Sequence, residues 1–296
     1  MWFFWTVIAY FLNALAVLID KSLFYTQKVK KPSSYVVVIC TLGLLTFVLA
    51  PWGLSIPTSM GLIYSTVAGF SFTAGLLLLF TALQRGEVSR VTSFIGAWSP
   101  IFVFAISFLF FNERLSTWEV AAFALLVAGG FLMATGKKGL TKETLFIALL
   151  SALGFAVFYS ISKVTFNEIG FISGLIWIRV TSFIFSLFLL FIPSTWQAIK
   201  DNGGQNTKTK LVFFIGQISS ALSALLVNYA ISLGSVTLIN AMQGLQYVFL
   251  LGLVAALSFS RPELLKEELS GHVLVRKIVA IVLIAGGLAF VSSSAI

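Results

Sequence analysis

Residues 85–138 read RGEVSRVTSFIGAWSPIFVFAISFLFFNERLSTWEVAAFALLVAGGFLMATGKK. Two apolar runs, 89–111 and 117–135, are joined by a short turn. Arg85 and Arg90 precede the first run, Lys137 and Lys138 follow the second, and the turn holds Arg114 alone. A helix needs about 20 apolar residues to cross the hydrocarbon layer of a bilayer. The stretch therefore predicts a helix that crosses a membrane and a second that returns, with both basic ends on one side. Barrel strands alternate polar and apolar residues, and these runs do not.

The same unit extends along the chain. Ten apolar runs are visible, at 2–20, 35–50, 60–84, 89–111, 117–135, 144–162, 171–192, 211–233, 235–258 and 274–292. The run at 35–50 is short, but Tyr35 and Trp52 flank it as interface residues. Hydrophobic residues make up 59% of the 296-residue chain and charged residues 10%, so lipid is the solvent for most side chains. The expected class is an all-α integral membrane protein with ten transmembrane helices. The first run has no basic residue before it and no small-residue cleavage site after it, so it reads as the first membrane helix. The longest gaps, 193–210 and 259–273, are too short to fold alone. One cysteine, Cys40, and one histidine, His272, exclude an internal disulfide and a Cys/His metal cluster. No cofactor is called for.

Charge sets the sidedness. Sixteen of the nineteen Lys and Arg residues lie in the gaps after helices 1, 3, 5, 7 and 9. Basic loops are retained in the cytoplasm. Both termini are therefore expected outside the cytoplasm, in a multi-pass cell (inner) membrane protein. The net charge of +9 is thereby explained without a nucleic-acid partner. Three basic residues break the rule: Arg114, Lys163 and Arg179.

The halves echo each other. Lys21 matches Lys163 and Pro51 matches Pro193 at one offset. Ala82, Gly86, Val88 and Gly96 match Ala230, Gly234, Val236 and Gly244 at a second, and Ala128–Gly130 match Ala285–Gly287 at a third. The ordered series points to duplication, with repeats at 1–136 and 140–294. Five helices per half, an odd number, make the second copy enter the membrane inverted. Two inverted five-helix repeats are an architecture of secondary transporters, with the substrate near the midplane.

The stretch from Ala82 to Met133 holds A-L-Q-R-G, then Ser99–Pro100, then F-N-E-R-L-S at 111–116, then A-G-G at 128–130. It resembles the EamA domain of the drug/metabolite transporter superfamily. The terminal lysines of the first helix of each half, Lys21 and Lys163, fit the same pattern. The resemblance covers the chain as two domains. In the second copy Val248 replaces Pro100, and the longer loop 259–273 replaces the E-R-L turn. The resemblance implies transport of amino acids, sugars, nucleotide sugars or amphiphilic drugs.

Polar residues at membrane depth are costly and face a cavity or a partner helix. Helix 9 carries Asn240, Gln243, Gln246 and Tyr247, whose spacing predicts one polar face. Amides donate and accept hydrogen bonds, which suits a polar or zwitterionic solute. Helix 8 adds Gln217, Ser220 and Asn228, and helices 1, 3, 4 and 6 add Asn13, Tyr64, Ser71, Trp98, Ser99 and Tyr159. For all of these, hydrogen bonding between helices is the competing reading. Arg179 lies well inside helix 7, where its planar fork suits a substrate carboxylate and snorkelling to the interface is the alternative. Lys163 ends helix 6 and either neutralises a substrate or caps the helix. Arg114, beside Glu113, belongs to a turn. Glycines 61, 69, 75, 96, 129, 130, 286 and 287 are expected to allow close helix packing.

All ten acids lie in gaps or near helix ends. Proton-coupled carriers place a carboxylate or His within the membrane, so this pattern predicts a facilitator or coupling through the substrate's own charge. Catalytic motifs such as G-x-S-x-G and H-E-x-x-H are absent, which argues against an enzyme. The expectation is a secondary transporter of a small polar or amphiphilic metabolite, sufficient as a monomer; the alternatives are a lipid flippase and a membrane scaffold.

Overall fold

The computed structural model describes residues 1–24, 31–86, 88–134, 140–201, 207–258 and 271–294. The elements are α1 (Trp2–Phe24), α2 (Pro32–Gly43) running into a 3₁₀ helix (Leu44–Trp52), α3 (Ser59–Arg85), α4 (Val88–Phe110), α5 (Thr117–Ala134) and α6 (Lys142–Ile169). Then come α7 (Phe171–Leu187) with a 3₁₀ extension (Phe188–Phe191), α8 (Pro193–Asp201), α9 (Thr207–Leu233), α10 (Val236–Ala241), α11 (Gly244–Ser258) and α12 (Gly271–Ser294). Among the described residues every element is a helix. Nine helical stretches are long and apolar enough to cross a membrane, and Thr117–Met133 in α5 is a shorter apolar helix. The chain thus has the helical content of a multi-pass membrane protein. The loop at 259–270, and most of the basic gaps after α1 and α5, lie outside the described residues.

Local chemistry sets the helix ends. Thr58 and Thr141 accept hydrogen bonds from Gly61 N (3.0 Å) and Thr144 N (3.3 Å), and so cap α3 and α6. Ser116 and Glu119 form a reciprocal capping box at α5: Ser116 N donates to Glu119 at 2.8 Å, and Glu119 N donates to Ser116 Oγ at 3.4 Å. Helix α6 stops at Gly170, which has φ +79°, rather than near 162 as the apolar run predicted. Lys163 therefore lies inside α6 and does not end it. The short second run gains reach from its 3₁₀ segment, because that helix rises about 2.0 Å per residue against about 1.5 Å in an α-helix.

Two compact units divide the chain. The first comprises Met1–Lys28, Asn112–Lys137 and Gln205–Ile296, and the second Val29–Phe111 and Lys138–Gly204. Each takes helices from both halves of the sequence, so the units cut across the boundary near 136–140.

In the first unit α1 packs on α9 and α11, and α5 packs on α12. Ser223 Oγ donates to Ala9 O across α9 and α1 at 2.7 Å. The α5–α12 contact depends on small residues: a Cβ on Gly129 would stand 2.6 Å from Ile284 Cγ1, and one on Gly287 would stand 2.7 Å from Leu126 Cγ.

In the second unit α6 packs on α3 and α4, and α7 packs on α3. Ala82, Val91, Ile95, Ala148 and Ala152 form one buried cluster, and Val36, Cys40 and Leu76 form another. Helices α3 and α6 meet at Gly75 and Gly154, where a Cβ on Gly154 would lie 3.1 Å from Gly75 Cα. Ser151 Oγ donates to Gly75 O at 2.9 Å and Thr181 Oγ1 to Ser65 O at 2.8 Å, so hydroxyls tie these close helices together.

Polar contacts join helix ends and the gaps between helices within each unit. Ser55 N donates to Ser173 Oγ (2.9 Å) and Thr58 Oγ1 to Glu168 (3.2 Å), joining the gaps after helices 2 and 6. Glu113 accepts from Ser235 Oγ (2.5 Å) and Thr237 Oγ1 (2.7 Å), joining those after helices 4 and 8. Arg85 pairs with Glu143, joining those after helices 3 and 5. Ser33 Oγ and Thr195 Oγ1, 2.6 Å apart, join those after helices 1 and 7.

Candidate functional site

The predicted helix 9 is broken. Helix α10 begins at Ser235, whose Oγ accepts from Leu238 N at 3.1 Å, and ends at Ala241. The hydrogen-bond ladder then slips by one residue. Gln243 N donates to Asn240 O (3.0 Å), Leu245 N to Met242 O (2.9 Å) and Gln246 N to Gln243 O (3.1 Å). Helix α11 starts at Gly244. A regular α-helix would give the Ile239 carbonyl to Gln243 N. Instead Tyr10 Oη donates to Ile239 O at 2.9 Å. Gly244 also permits close approach to α5, since a Cβ there would lie 3.5 Å from Gly130 Cα.

This break corrects the single polar face expected of helix 9. Asn240 is on α10, Gln243 is in the turn, and Gln246 and Tyr247 are on α11, so one helical spacing no longer relates them. Asn240 is 1% exposed and its Nδ2 donates to Val236 O of its own helix at 2.9 Å. Asn228 likewise donates to Ala224 O at 2.8 Å. Both satisfy their own helix, the competing outcome for polar residues in membranes. Gln246 is different. It is buried, and its Oε1 accepts from Asn13 Nδ2 of α1 at 3.0 Å. Tyr10 and Asn13, three residues apart on α1, thus both face the break. The first unit therefore gathers a part-buried amide pair, a tyrosine hydroxyl and two helix ends in one place. Ile239 O is taken by Tyr10 and the amides pair with each other, so these groups would exchange partners to hydrogen-bond a polar solute.

In the second unit Arg179 is 8% exposed on α7. Its Cζ lies 4.5 Å from the Phe72 ring centroid on α3 and 6.0 Å from that of Phe158 on α6. Gly43 makes room for its stem, because a Cβ there would be 3.2 Å from Arg179 Cδ. Tyr159 is beside Phe158, with ring centroids 4.9 Å apart, and interacts electrostatically with Arg179.

Trp98 is in an aromatic row on α4 with Phe94 (6.1 Å) and Phe102 (5.9 Å), packed on the α3–α4–α6 cluster. Ser71 is buried on α3, and Tyr64 and Gln217 are partly buried on α3 and α9. Lys163 and Tyr247 are partly buried on α6 and α11. Ser99 Oγ, beside Pro100, is buried without a hydrogen-bond partner among the described residues. Sequence reasoning missed Tyr10, Phe72 and Phe158. The spacing of Tyr10 from Asn13 was a usable signal, whereas nothing marks two of thirty phenylalanines.

No family model matches the chain, and no curated protein matches it. Among solved structures, one described only as "Crystal structure of protein" is similar in fold, with a TM-score of 0.69 and 16% identity over 97% of this chain and 95% of that one. At that identity the likeness concerns the fold alone.

Proposed function

We propose that the chain is a secondary transporter that moves a small polar or amphiphilic solute by alternating access. The broken helix α10–α11, with the Asn13–Gln246 pair beside it, is the observation that carries this reading. Interrupted helices at membrane depth supply hydrogen-bonding groups to a solute, which a continuous helix keeps for itself.

Packing supports the inverted repeat on which alternating access rests. In one unit α1 packs on α9 and α11, and in the other α6 packs on α3 and α4. Under the offsets read from the sequence, α1 corresponds to α6, α9 to α3 and α11 to α4. Helices α2 and α7, also matched, both pass into 3₁₀ segments, one containing Pro51 and the other ending just before Pro193. We take the two repeats to be EamA-like and both termini to be non-cytoplasmic. The pairing of gaps supports alternation of sides along the chain, and the basic residues assign which side is cytoplasmic.

The test is a thermal-unfolding screen of the purified protein against amino acids, sugars and nucleosides, followed by flux of each stabilising solute in proteoliposomes. Gln246→Ala is expected to reduce binding of the solute at least tenfold while the protein remains folded. Undiminished binding in that variant would place the site elsewhere. Flux should persist when an imposed pH gradient is collapsed and the solute gradient kept; flux that stops would require a proton-coupled mechanism.

A further inference from the structure

Arg179 carries a full charge in a membrane-spanning helix, and no hydrogen bond or ion pair joins it to a described residue. The thiol of Cys40 and the phenol of Tyr159 lie within electrostatic reach of it, and neither is a carboxylate. The buried, partnerless side-chain atoms among the described residues are Ser65 Oγ, Ser99 Oγ and Arg276 Nε, with no Arg179 nitrogen among them. The Arg179 nitrogens are therefore not sealed off completely; Phe72 and Phe158 face the guanidinium, and Gly43 makes room for the stem.

We propose that Arg179, with Tyr159, forms a binding site for the carboxylate of a small organic monoanion. A guanidinium offers parallel N–H donors that match the two oxygens of a carboxylate. The phenol of Tyr159 supplies a further donor. A single guanidinium carries one positive charge, which matches the one negative charge of a carboxylate. The Phe72 and Phe158 rings offer cation–π contact to the fork, with Cζ 4.5 and 6.0 Å from their centroids. The proposal does not require transport.

The experiment is thermal unfolding of the full chain in detergent. Acetate, benzoate and phenylacetate are compared with acetamide, benzamide and phenylacetamide at matched ionic strength, with chloride and inorganic phosphate as further arms. Carboxylates are expected to raise the unfolding temperature in a saturable way, and the amides to leave it unchanged. Arg179→Gln should abolish the shift. Arg179→Lys, which keeps the charge but not the fork, should weaken apparent affinity at least tenfold, and Tyr159→Phe about threefold or more. Equal shifts with amides, chloride or phosphate would overturn the assignment, as would no shift at all or a shift retained in Arg179→Gln. Should Arg179→Gln not fold, the contrast between carboxylates and amides and the Tyr159→Phe arm decide the matter. A protein that binds carboxylates but moves no solute would overturn the transport reading and leave this one standing.

Discussion

At the scale of single residues, membrane depth turns every polar atom into a question about its partner. Asn228 and Asn240 answer it within their own helices, Asn13 and Gln246 answer it with each other, and Arg179 has only aromatic faces. Removing a charge from water costs several kcal/mol, whereas a cation–π contact returns about 0.5–2 kcal/mol. That imbalance separates Arg179 from the amides. Glycines can be sorted by the same attention to neighbours. A Cβ on Gly69 would stand 2.2 Å from Thr181 Oγ1 and 2.7 Å from the backbone nitrogen of Ser182, whereas one on Gly252 would meet nothing within 4 Å. Gly69→Ala should therefore lower stability by about 1–3 kcal/mol. Gly252→Ala should leave it unchanged, and thermal unfolding in detergent compares the two directly. The sequence marked eight glycines as packing residues without ranking them. Gly69, Gly129 and Gly287 are tight, but Gly286 has only Leu125 Cδ1 near its Cβ position, at 3.8 Å. Which side of a helix a glycine presents depends on tertiary packing, and helical spacing alone does not reveal it.

At the scale of elements, the informative departure is the slip between α10 and α11. The apolar pattern from 235 to 258 runs on unbroken and contains no proline, so the run read as one helix. The break is accompanied by a partner distant in sequence, since Tyr10 takes the carbonyl that the helix would have used. Tyr10→Phe leaves Ile239 O without that donor and should cost about 1–3 kcal/mol, read as a lower unfolding temperature. An unchanged temperature would mean that the ladder re-forms or that another donor replaces the tyrosine. The E-R-L-S turn was legible as a turn, but its wiring was not. Asn112 adopts φ +52°, Ser116 and Glu119 cap α5, and Glu113 receives both hydroxyls at the start of α10. A carboxylate at a helix N-terminus also favours the helix dipole. Glu113→Ala should therefore destabilise by about 1.5–3 kcal/mol, and Glu113→Asp by less, with the same thermal assay ranking the pair.

At the scale of the molecule, the apolar helical runs and their order were readable, because hydropathy acts locally and additively along a chain. The division into two units was not, because each unit draws helices from both halves and is set by side-chain packing. Sidedness has its own check. Ile56, 93% exposed in the gap after helix 2, and Lys142, exposed at the start of α6, should lie on opposite sides. With the native Cys40 buried, Ile56→Cys should react with a membrane-impermeant maleimide in intact cells, and Lys142→Cys only after permeabilisation. The reverse labelling would invert the topology. The central claim, that this fold carries a solute by exposing one site to each side in turn, is tested most directly by counterflow. Proteoliposomes loaded with an unlabelled stabilising solute, with no ion gradient, are diluted into a trace of the labelled form. The account predicts transient accumulation of label above its external concentration, lost in Gln246→Ala; label that only equilibrates, or enters equally in protein-free liposomes, would contradict it.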